Sequence, residues 1–177
     1  IGDINEARGH ETLEELKSKG HDAFYQNCDI TKVESLEQAK DELISRWNGV
    51  DIVVNNAGVA GTVGAIEDIT LEDWDWVLNI NLMGVVRGCK VFTPLFKEQG
   101  SGQFVNIASA AGLMNVQRMS SYNVSKAAVI SLSETLRFEL EKFGIGVSVA
   151  CPAFFKTNLT ESMKSTLDNG INKKIAY

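Results

Sequence analysis

Short apolar segments alternate with longer amphipathic segments along this 177-residue chain, and this alternation limits the folds that it can adopt. The apolar segments predict β-strands at residues 23–28, 50–54, 104–108 and 147–151. The segment 50–54 is almost continuously apolar, as expected of a strand that is buried on both faces of a parallel sheet. Strands that alternate with helices predict an α/β fold, a doubly wound, Rossmann-like parallel sheet in three layers. The length fits one domain, 1–177.

The segments between the strands carry signals for helices. Helices are predicted at 3–18, from residues 31 and 70 onward, at 120–143 and at 158–177. Thr31 and Glu34 have the spacing of a capping box. The helix that begins at Thr70 carries Asn81, and Pro94 is expected to kink it near its end.

A polar residue or a proline follows each predicted strand. These residues are Asp3, in the segment 1–3 that reads as the end of a further strand, and Asp29, Asn56, Ser109 and Pro152. Ligands of doubly wound sheets bind beyond the carboxyl ends of the strands. We therefore expect these residues to converge on one edge of the sheet and to form a ligand site there.

Tyr122 and Lys126 are four residues apart in a predicted helix, so both side chains can point into one cleft. A tyrosine can act as a base near neutral pH only if its phenolate is stabilised, because its ordinary pKa is about 10. A nearby ammonium group does this. Ser109, at the end of a strand, could hold a substrate oxygen in front of the phenol. The alternative is a surface helix with ordinary polar residues.

The charge and residue types of the chain argue against several functions. The net charge is −6 and there is no basic patch, so nucleic-acid binding is not predicted. Cys28, Cys89 and Cys151 include no Cys-x-x-Cys pair, which fits a reducing compartment, the cytoplasm, better than a disulfide framework. The histidines, His10 and His21, have no partner at ligand spacing, so no metal site is predicted.

A series of motifs resembles the short-chain dehydrogenase/reductase family. The matching segments, in order, are Cys28-Asp-Ile30, Asn55-Asn-Ala-Gly58, Asn81, Ser109, Tyr122 with Lys126, and Pro152-Ala-Phe-Phe-Lys-Thr157. The resemblance implies an oxidoreductase that moves hydride between a nicotinamide cofactor and an alcohol or ketone. It also implies that Tyr122 transfers the hydroxyl proton, that Ser109 positions the substrate oxygen, and that Lys126 lowers the tyrosine pKa and holds the nicotinamide ribose. The carbonyl side of Asn81 would bind a water that links Lys126 to solvent, although a mid-helix asparagine can also bond locally.

The resemblance also implies where the cofactor binds. The implied cofactor-binding residues are Asp3, Asp29, Ile30, Asn56, Ala57, Gly58, Tyr122, Lys126, Pro152, Phe155 and Thr157. A carboxylate at Asp3 would bind the ribose hydroxyls of NAD and repel a 2′-phosphate, so NAD is favoured over NADP. Alternatively, Asp3 is a helix N-cap, and Arg8 could accommodate a phosphate. Asp29 would accept a hydrogen bond from adenine or cap the helix at Thr31.

Several apolar residues fall in segments that border the substrate in this family. Ser109, Met114 and Phe154 are the predicted substrate-binding residues, and Phe155, Met119 and Met163 are nearby candidates. Together they predict an apolar substrate pocket, although each alone fits ordinary core packing. The alternative function is a nucleotide-binding or regulatory protein on the same fold, without catalysis.

The predicted partners are a small alcohol or ketone and further copies of the chain. Arg87 and Lys90 interrupt the most apolar run, so no membrane partner is expected. Family resemblance implies a homotetramer or homodimer built on the helices at 76–99 and 120–143.

The chain departs from the family pattern in two ways. Ala153 stands where the family usually has glycine. The family's first strand, its Gly-rich turn and its last strand have no counterpart in the sequence. We therefore expect 1–177 to be a piece of a longer chain that alone neither folds cooperatively nor binds NAD tightly, since unpaired strands leave buried backbone groups unsatisfied.

Overall fold

The computed structural model describes residues 1–153 and 158–166. The strands are β1 (Gly2–Asp3), β2 (Gln26–Asn27), β3 (Ile52–Asn55), β4 (Thr62–Val63), β5 (Gly102–Ile107), β6 (Ile145–Ala150) and β7 (Lys164–Ser165). The α-helices are α1 (Glu6–Ser18), α2 (Val33–Trp47), α3 (Leu71–Asn81), α4 (Met83–Gln99), α5 (Ala111–Met114) and α6 (Ser120–Leu140). Short 3-10 helices lie at Glu141–Phe143 and Asn158–Ser162.

The strand pairs of the described residues are all parallel. β5 lies between β3 and β6, with Asn55 paired to Asn106 and Ile107 paired to Ala150. β1 pairs with β2, and β4 pairs with β7, in two further small sheets. Parallel strands joined through helices confirm the predicted α/β, Rossmann-like fold.

The core lies between the central sheet and the helices α4 and α6. Phe96 and Phe104 are fully buried, with ring centroids 4.9 Å apart. Val129 from α6 and Ile145 from β6 complete the contact between helix and sheet. Burial of each such side chain stabilises the fold by roughly 1.5–3 kcal/mol. This packing fixes α6, which carries Tyr122, against β5, whose end leads to Ser109.

A buried hydrogen-bond network joins the sheet to α6. The Nδ2 of Asn55 donates to Asn106 Oδ1 at 2.8 Å, and Asn106 Nδ2 donates to Ser133 Oγ at 2.9 Å. A Cβ at Gly88 would lie 2.1 Å from Asn55 Oδ1, so α4 can approach this network only with a glycine there. Asn55 therefore has a structural role in joining β3 to β5 and α4, and it also lines the cleft next to Asn56.

The prediction that β3 is buried on both faces is wrong. Ile52 is 57% exposed and Val54 is 55% exposed. Both side chains line a cleft, and Gly2 of β1 lines the same cleft. β1 is not hydrogen-bonded to β3. A continuous apolar segment predicts a strand within the sheet, but it does not predict which elements cover the two faces of that strand.

The predicted capping box at Thr31 is also wrong. α2 begins at Val33 with Lys32 as its N-cap, and no side chain caps it. The Thr31 hydroxyl instead donates to Asp29 Oδ1 at 2.7 Å, and that oxygen also accepts the Thr31 N–H at 3.0 Å. The carboxylate draws Thr31 into a turn before the helix, because it is a stronger acceptor than a hydroxyl.

The helix that begins at Thr70 differs from the prediction in where it breaks. Thr70 Oγ1 accepts the Asp73 N–H at 3.2 Å, which confirms the helix start. The helix ends at Asn81, and Leu82, with φ −105° and ψ −59°, separates α3 from α4. Pro94 lies inside α4, which continues to Gln99. The break therefore follows the buried Asn81 rather than the proline.

The predicted helix over 158–177 is wrong in its described part. A 3-10 helix at Asn158–Ser162 is followed by β7, not by more helix. The N–H groups of Lys164 and Thr166 donate to the carbonyl oxygens of Gly61 and Val63, so these residues are held extended beside β4. Residues 167–177 lie outside the described part.

Other element boundaries shift by a few residues. The predicted helix 3–18 begins at Glu6, because Asp3 belongs to β1. Only Gln26–Asn27 of the predicted strand 23–28 is paired. The helix predicted at 120–143 is α6 followed by the 3-10 turn Glu141–Phe143.

Candidate active site

A cleft of about 2310 Å³ runs along β3 and includes the residues that follow the carboxyl ends of β3, β5 and β6. The predicted site residues that line it are Asp3, Asp29, Ile30, Asn56, Ala57, Gly58, Ser109, Met114, Tyr122, Lys126 and Pro152. The residues that follow different strands therefore meet in one cleft, as their order predicted. Asn81 lies behind its wall, and Phe154, Phe155 and Thr157 fall outside the described residues.

Ser109 is held between the ends of two strands. The N–H of Ala108 donates to the carbonyl oxygen of Ala150, and the N–H of Ala110 donates to that of Pro152, at 2.8 and 2.9 Å. Ser109 Oγ accepts the Ala111 N–H at 3.1 Å, at the start of α5. The hydroxyl is therefore fixed in place and still faces the cleft.

Tyr122 lies in the first turn of α6 and is 7% exposed. Burial raises the pKa of its phenol, and a hydrogen bond with Ser109 acts in the opposite direction. The sequence predicted that Lys126 would lower this pKa. The direction differs because the phenol loses contact with water, which disfavours its charged form. Tyr122 is therefore a protonated acid at neutral pH in this structure.

Lys126 is 4% exposed, and its Nζ donates to the carbonyl oxygen of Ile107 at 2.9 Å. Burial lowers the pKa of its ammonium group to about 8. The Nζ lies 5.7 Å from the ring centroid of Tyr122. One helical turn thus brings the acid and the cation to the same end of β5, as the four-residue spacing predicted.

Asn81 has hydrogen-bond partners on both sides of its amide. Its Oδ1 accepts the Val59 N–H at 2.8 Å, and its Nδ2 donates to the Val59 carbonyl at 2.9 Å and to Ser125 Oγ at 3.1 Å. The sequence-based hypothesis is that the carbonyl side of Asn81 binds a water that links Lys126 to solvent. The side-chain oxygen also holds the loop after β3, and its contact with a water stays a prediction.

Gly58 lies close to both Asn81 and Lys126. A Cβ there would lie 3.2 Å from Asn81 Oδ1 and 3.4 Å from Lys126 Nζ. Glycine therefore lets the backbone approach the ammonium group closely, next to Asn56 and Ala57 in the cleft wall. A ribose with its hydroxyls toward Lys126 fits such a surface, so these residues are compatible with a nicotinamide cofactor.

Acidic and basic groups also line the cleft. Asp3 is exposed, and its Oδ1 accepts the Asn5 N–H at 2.8 Å. Asn5, not Asp3, is the N-cap of α1, so the alternative role of Asp3 as N-cap is wrong. Arg8 is paired with Glu161, with Nη2 and Oε2 2.5 Å apart.

Asp29 is held by its neighbours in the chain. Hydrogen bonds from the Thr31 hydroxyl and N–H lower the pKa of its carboxyl group, and Lys32 adds to this effect. Lys32 Nζ lies 3.5 Å from Asp29 Oδ2. Asp29 therefore lines the cleft as a carboxylate, and it precedes α2 without capping it.

Sequence reasoning missed the contacts of Ser125, which is fully buried between Tyr122 and Lys126. Its Oγ donates to the Tyr122 carbonyl oxygen at 2.7 Å and accepts from Asn81. A serine inside a helix commonly bonds to a carbonyl one turn earlier. That tendency was the available signal, but the partner on α3 could not be found without the fold.

The part of the chain that the structure describes contains neither a membrane-spanning helix nor a metal-binding cluster. Within residues 1–153 and 158–166, no helix is both long and apolar enough to cross a membrane. Over the same residues, no three His, Cys, Asp or Glu side chains cluster closely enough to hold a metal ion.

Comparison with known proteins identifies the family. The chain matches the family model described as short chain dehydrogenase over residues 1–168. The probable oxidoreductase EphD of Mycobacterium bovis is 40% identical over 161 residues, which cover 90% of this chain and 27% of that protein.

Solved structures agree with this match. A short chain dehydrogenase/reductase of Burkholderia phymatum, in complex with NAD, is 34% identical with a TM-score of 0.87, over 91% of this chain and 58% of that one. An NAD+-bound xylitol dehydrogenase is 29% identical with a TM-score of 0.85, over 88% of this chain and 60% of that one. The chain thus spans less than two thirds of each of these relatives. The motif order, the parallel α/β fold and the family match together establish that this chain belongs to the short chain dehydrogenase family.

Proposed function

We propose that the protein is an oxidoreductase that transfers hydride between a nicotinamide cofactor and an alcohol or ketone. The observation that carries this proposal is the meeting of Ser109, Tyr122 and Lys126 in one cleft at the end of β5. In a short chain dehydrogenase, this arrangement provides a hydroxyl to hold a substrate oxygen, a phenol to exchange its proton, and a buried cation beside both.

The bound cofactor would supply or accept the hydride. Lys126 would hold the nicotinamide ribose, Asn56, Ala57 and Gly58 would line its path, and Asp3 would accept hydrogen bonds from the adenosine ribose hydroxyls. Asp29, Ile30, Tyr122 and Pro152 belong to the same proposed binding surface, as do Phe155 and Thr157 from the sequence. NAD is preferred over NADP in this proposal, because Asp3 opposes a 2′-phosphate and Arg8 is already paired with Glu161.

Tyr122 is the proposed proton donor, and its raised pKa favours one direction. A protonated phenol can donate to a carbonyl oxygen that becomes an alcohol, whereas oxidation of an alcohol needs the phenolate. We therefore propose ketone reduction as the faster reaction near neutral pH. Ser109 would hold the carbonyl oxygen and stabilise the negative charge that develops there.

The proposed substrate is apolar. Met114, Val116, Met119 and Met163 line the cleft, and Met114 is 75% exposed at its surface. Flexible thioether side chains adapt to apolar ligands of irregular shape. Phe154 would add to this surface.

The proposal also includes a homotetramer or homodimer in the cytoplasm. Phe138 and Val124 on α6 are 70% and 49% exposed, and Met83 on α4 is 40% exposed, so both helices offer apolar groups to a partner. Cys28, Cys89 and Cys151 are free thiols, which fits a reducing compartment. Sedimentation of the whole protein tests this, and a monomer at all concentrations would contradict the assembly.

The test of the reaction is turnover by the whole protein of NADH with a panel of ketones, and of NAD with alcohols. We expect activity that disappears in Tyr122→Phe, while NADH affinity stays the same. The alternative, a nucleotide-binding protein without catalysis, predicts NADH binding with no turnover across the panel. Equal turnover in Tyr122→Phe would reject the proposed role of the phenol.

A further inference from the structure

Ser125 links the catalytic helix to the wall of the cleft. It stands between Tyr122 and Lys126 on α6, and it is fully buried. Its hydroxyl donates to the carbonyl oxygen of Tyr122 at 2.7 Å and accepts from Asn81 Nδ2 at 3.1 Å. The backbone of Tyr122 is thereby connected to a side chain of another helix.

Asn81 carries this connection on to the loop after β3. Its remaining amide proton and its Oδ1 bond to both backbone groups of Val59, at 2.9 and 2.8 Å. Val59 follows Gly58, which lies next to Lys126 Nζ and Asn81 Oδ1. A continuous series of hydrogen bonds therefore runs from the proposed cofactor loop, through α3, to the first turn of α6.

The series excludes water. Asn81 and Ser125 are 0% exposed, and Lys126 is 4% exposed. Loss of the Ser125 hydroxyl would leave a buried amide N–H of Asn81 without its acceptor, which is unfavourable enough for the helix or the loop to shift. A shift of the first turn of α6 moves Tyr122 relative to Ser109, because Ser109 is held separately by β5 and β6.

We propose that Ser125 is a positioning residue for the reaction. Its hydroxyl fixes the first turn of α6 against the Asn81–Val59 contact, so that Tyr122 and Lys126 face the cofactor loop and Ser109 in one geometry. This inference depends on the proposed function, since it assigns Ser125 a task in the same proton transfer. Ser125 itself is fully buried and does not line the cleft, so it acts through Tyr122 and Lys126.

Ser133 provides a matched control on the same helix. It is 1% exposed, its Oγ donates to the Val129 carbonyl at 2.7 Å, and it accepts from Asn106 Nδ2 at 2.9 Å. Both serines thus make one bond to their own helix and one to a buried asparagine. Ser133 lies two turns further along α6, roughly 12 Å from Ser125, and away from the cleft.

The experiment compares Ser125→Ala with Ser133→Ala in the whole protein. Three quantities are measured: the midpoint of unfolding, the dissociation constant of NADH, and turnover with the ketone that responds in the panel. The ionisation of Tyr122 is followed by the ultraviolet difference spectrum of tyrosinate, with Tyr122→Phe as the blank. This last measurement needs no substrate.

Both variants should lower the midpoint of unfolding to a similar extent, and Ser133→Ala should leave NADH binding unchanged. Ser125→Ala alone should reduce kcat roughly ten- to hundredfold, as expected when a catalytic group is displaced by a fraction of an ångström to 1 Å. It should also move the tyrosinate transition to higher pH, because the hydrogen bond from Ser109 is weakened. Ser125→Cys, which keeps a weak donor of similar size, should recover part of both effects.

Equal kcat and equal tyrosinate transitions in the two alanine variants would overturn the inference. If Ser125→Ala does not fold, Ser125→Cys is used for the test. A thiol is a weak hydrogen-bond donor, so wild-type kcat and a wild-type tyrosinate transition in Ser125→Cys would also overturn the inference. Failure of the proposed function is distinguishable, because wild-type turnover in Tyr122→Phe rejects the reaction whatever Ser125 does.

Discussion

The Nζ of Lys126 donates a hydrogen bond to the carbonyl oxygen of Ile107, 2.9 Å away. Ile107 is the last residue of β5, two positions before Ser109. The strand that leads to the serine therefore also anchors the lysine, and α6 carries both the lysine and Tyr122. This anchor draws the ammonium group out of water, and burial lowers its pKa from 10.5 to about 8.

Lys126 should therefore reduce the stability of the protein at neutral pH. Below pH 8 the lysine is charged in both states. Between pH 8 and about 10.5, the native protein has lost a proton that the unfolded chain still holds, so the contribution of Lys126 to the free energy of unfolding rises with pH. The shift corresponds to roughly 3 kcal/mol. Loss of the bond to Ile107 offsets about 1 kcal/mol of this.

We expect Lys126→Met to be more stable than the wild type at pH 7, by about 1–2 kcal/mol, and to lose turnover. Urea unfolding of the whole protein at pH 7 and pH 9.5 measures this, and the gain should shrink at the higher pH. Lys17→Met, an exposed position on α1, is the control and should change neither quantity. A less stable Lys126→Met at pH 7 would show that the hydrogen bond outweighs the desolvation.

Ser109→Ala should alter the pH dependence as well as the rate. The hydrogen bond from Ser109 opposes the rise in the pKa of Tyr122, so its removal should raise that pKa further. Ketone reduction uses the protonated phenol, so the alkaline limb of its pH–rate profile should move to higher pH. We expect kcat to fall by about 10²–10³-fold through loss of a donor to the developing oxyanion.

The measurement for Ser109→Ala is kcat for NADH-dependent ketone reduction between pH 6 and 10. Ser131→Ala, an exposed serine on α6, serves as the control. A lower rate with an unshifted alkaline limb would mean that Ser109 acts on the substrate alone and not on the phenol.

Gly58→Ala should weaken the junction between the cofactor loop and the catalytic helix. Its Cβ would lie 3.2 Å from Asn81 Oδ1, which must move by a few tenths of an ångström, and 3.4 Å from Lys126 Nζ, which is close contact. We expect a loss of about 1–3 kcal/mol in the free energy of unfolding and roughly tenfold lower turnover.

Gly100→Ala is the control, because it adds backbone strain at a glycine without touching the catalytic residues. Gly100 has φ +69° and open space around it, so an alanine there is strained but touches nothing. It should cost about 1 kcal/mol of stability with normal kcat. Equal kcat losses in the two variants would contradict a specific role for Gly58.

Strand order explains why so much of the site was predictable. Parallel strands bring their carboxyl ends together, so Asp29, Asn56, Ser109 and Pro152 could be assigned to one cleft before any contact was known. The i, i+4 spacing likewise placed Tyr122 and Lys126 on one face. Both inferences depend on backbone periodicity, which the sequence carries directly.

Properties that depend on the surroundings of a residue were not predictable in the same way. The pKa of Tyr122 is set by burial, so its direction was missed although its neighbours were found. Thr31 was assigned as a cap, whereas in the folded turn its hydroxyl and its N–H both donate to Asp29 Oδ1. The partner of Ser125 lies 44 residues away in sequence and is visible only once α3 meets α6.

The pairing of Arg8 with Glu161 predicts a second determinant of cofactor choice. Arg8, on α1, and Glu161, in the 3-10 helix after β6, both line the cleft that contains Asp3. Their side chains are 43% and 61% exposed, so the pair contributes at most about 1 kcal/mol. A 2′-phosphate would have to displace Glu161 to reach Arg8, and it would also meet the charge of that carboxylate.

Glu161→Gln removes both obstacles and leaves Asp3 in place. We therefore expect NADPH to bind about three- to fivefold more tightly to Glu161→Gln, since 1 kcal/mol corresponds to about a fivefold change, while NADH affinity stays constant. Fluorescence titration of the whole protein with each cofactor, and with 2′,5′-ADP against ADP, measures the ratio. Glu15→Gln is the matched control, because Glu15 makes a similarly exposed 2.5 Å pair with Lys19 on the same helix as Arg8. If Glu161→Gln and Glu15→Gln bind both cofactors alike, Arg8 does not face the 2′ position, and Asp3 alone accounts for any preference for NAD.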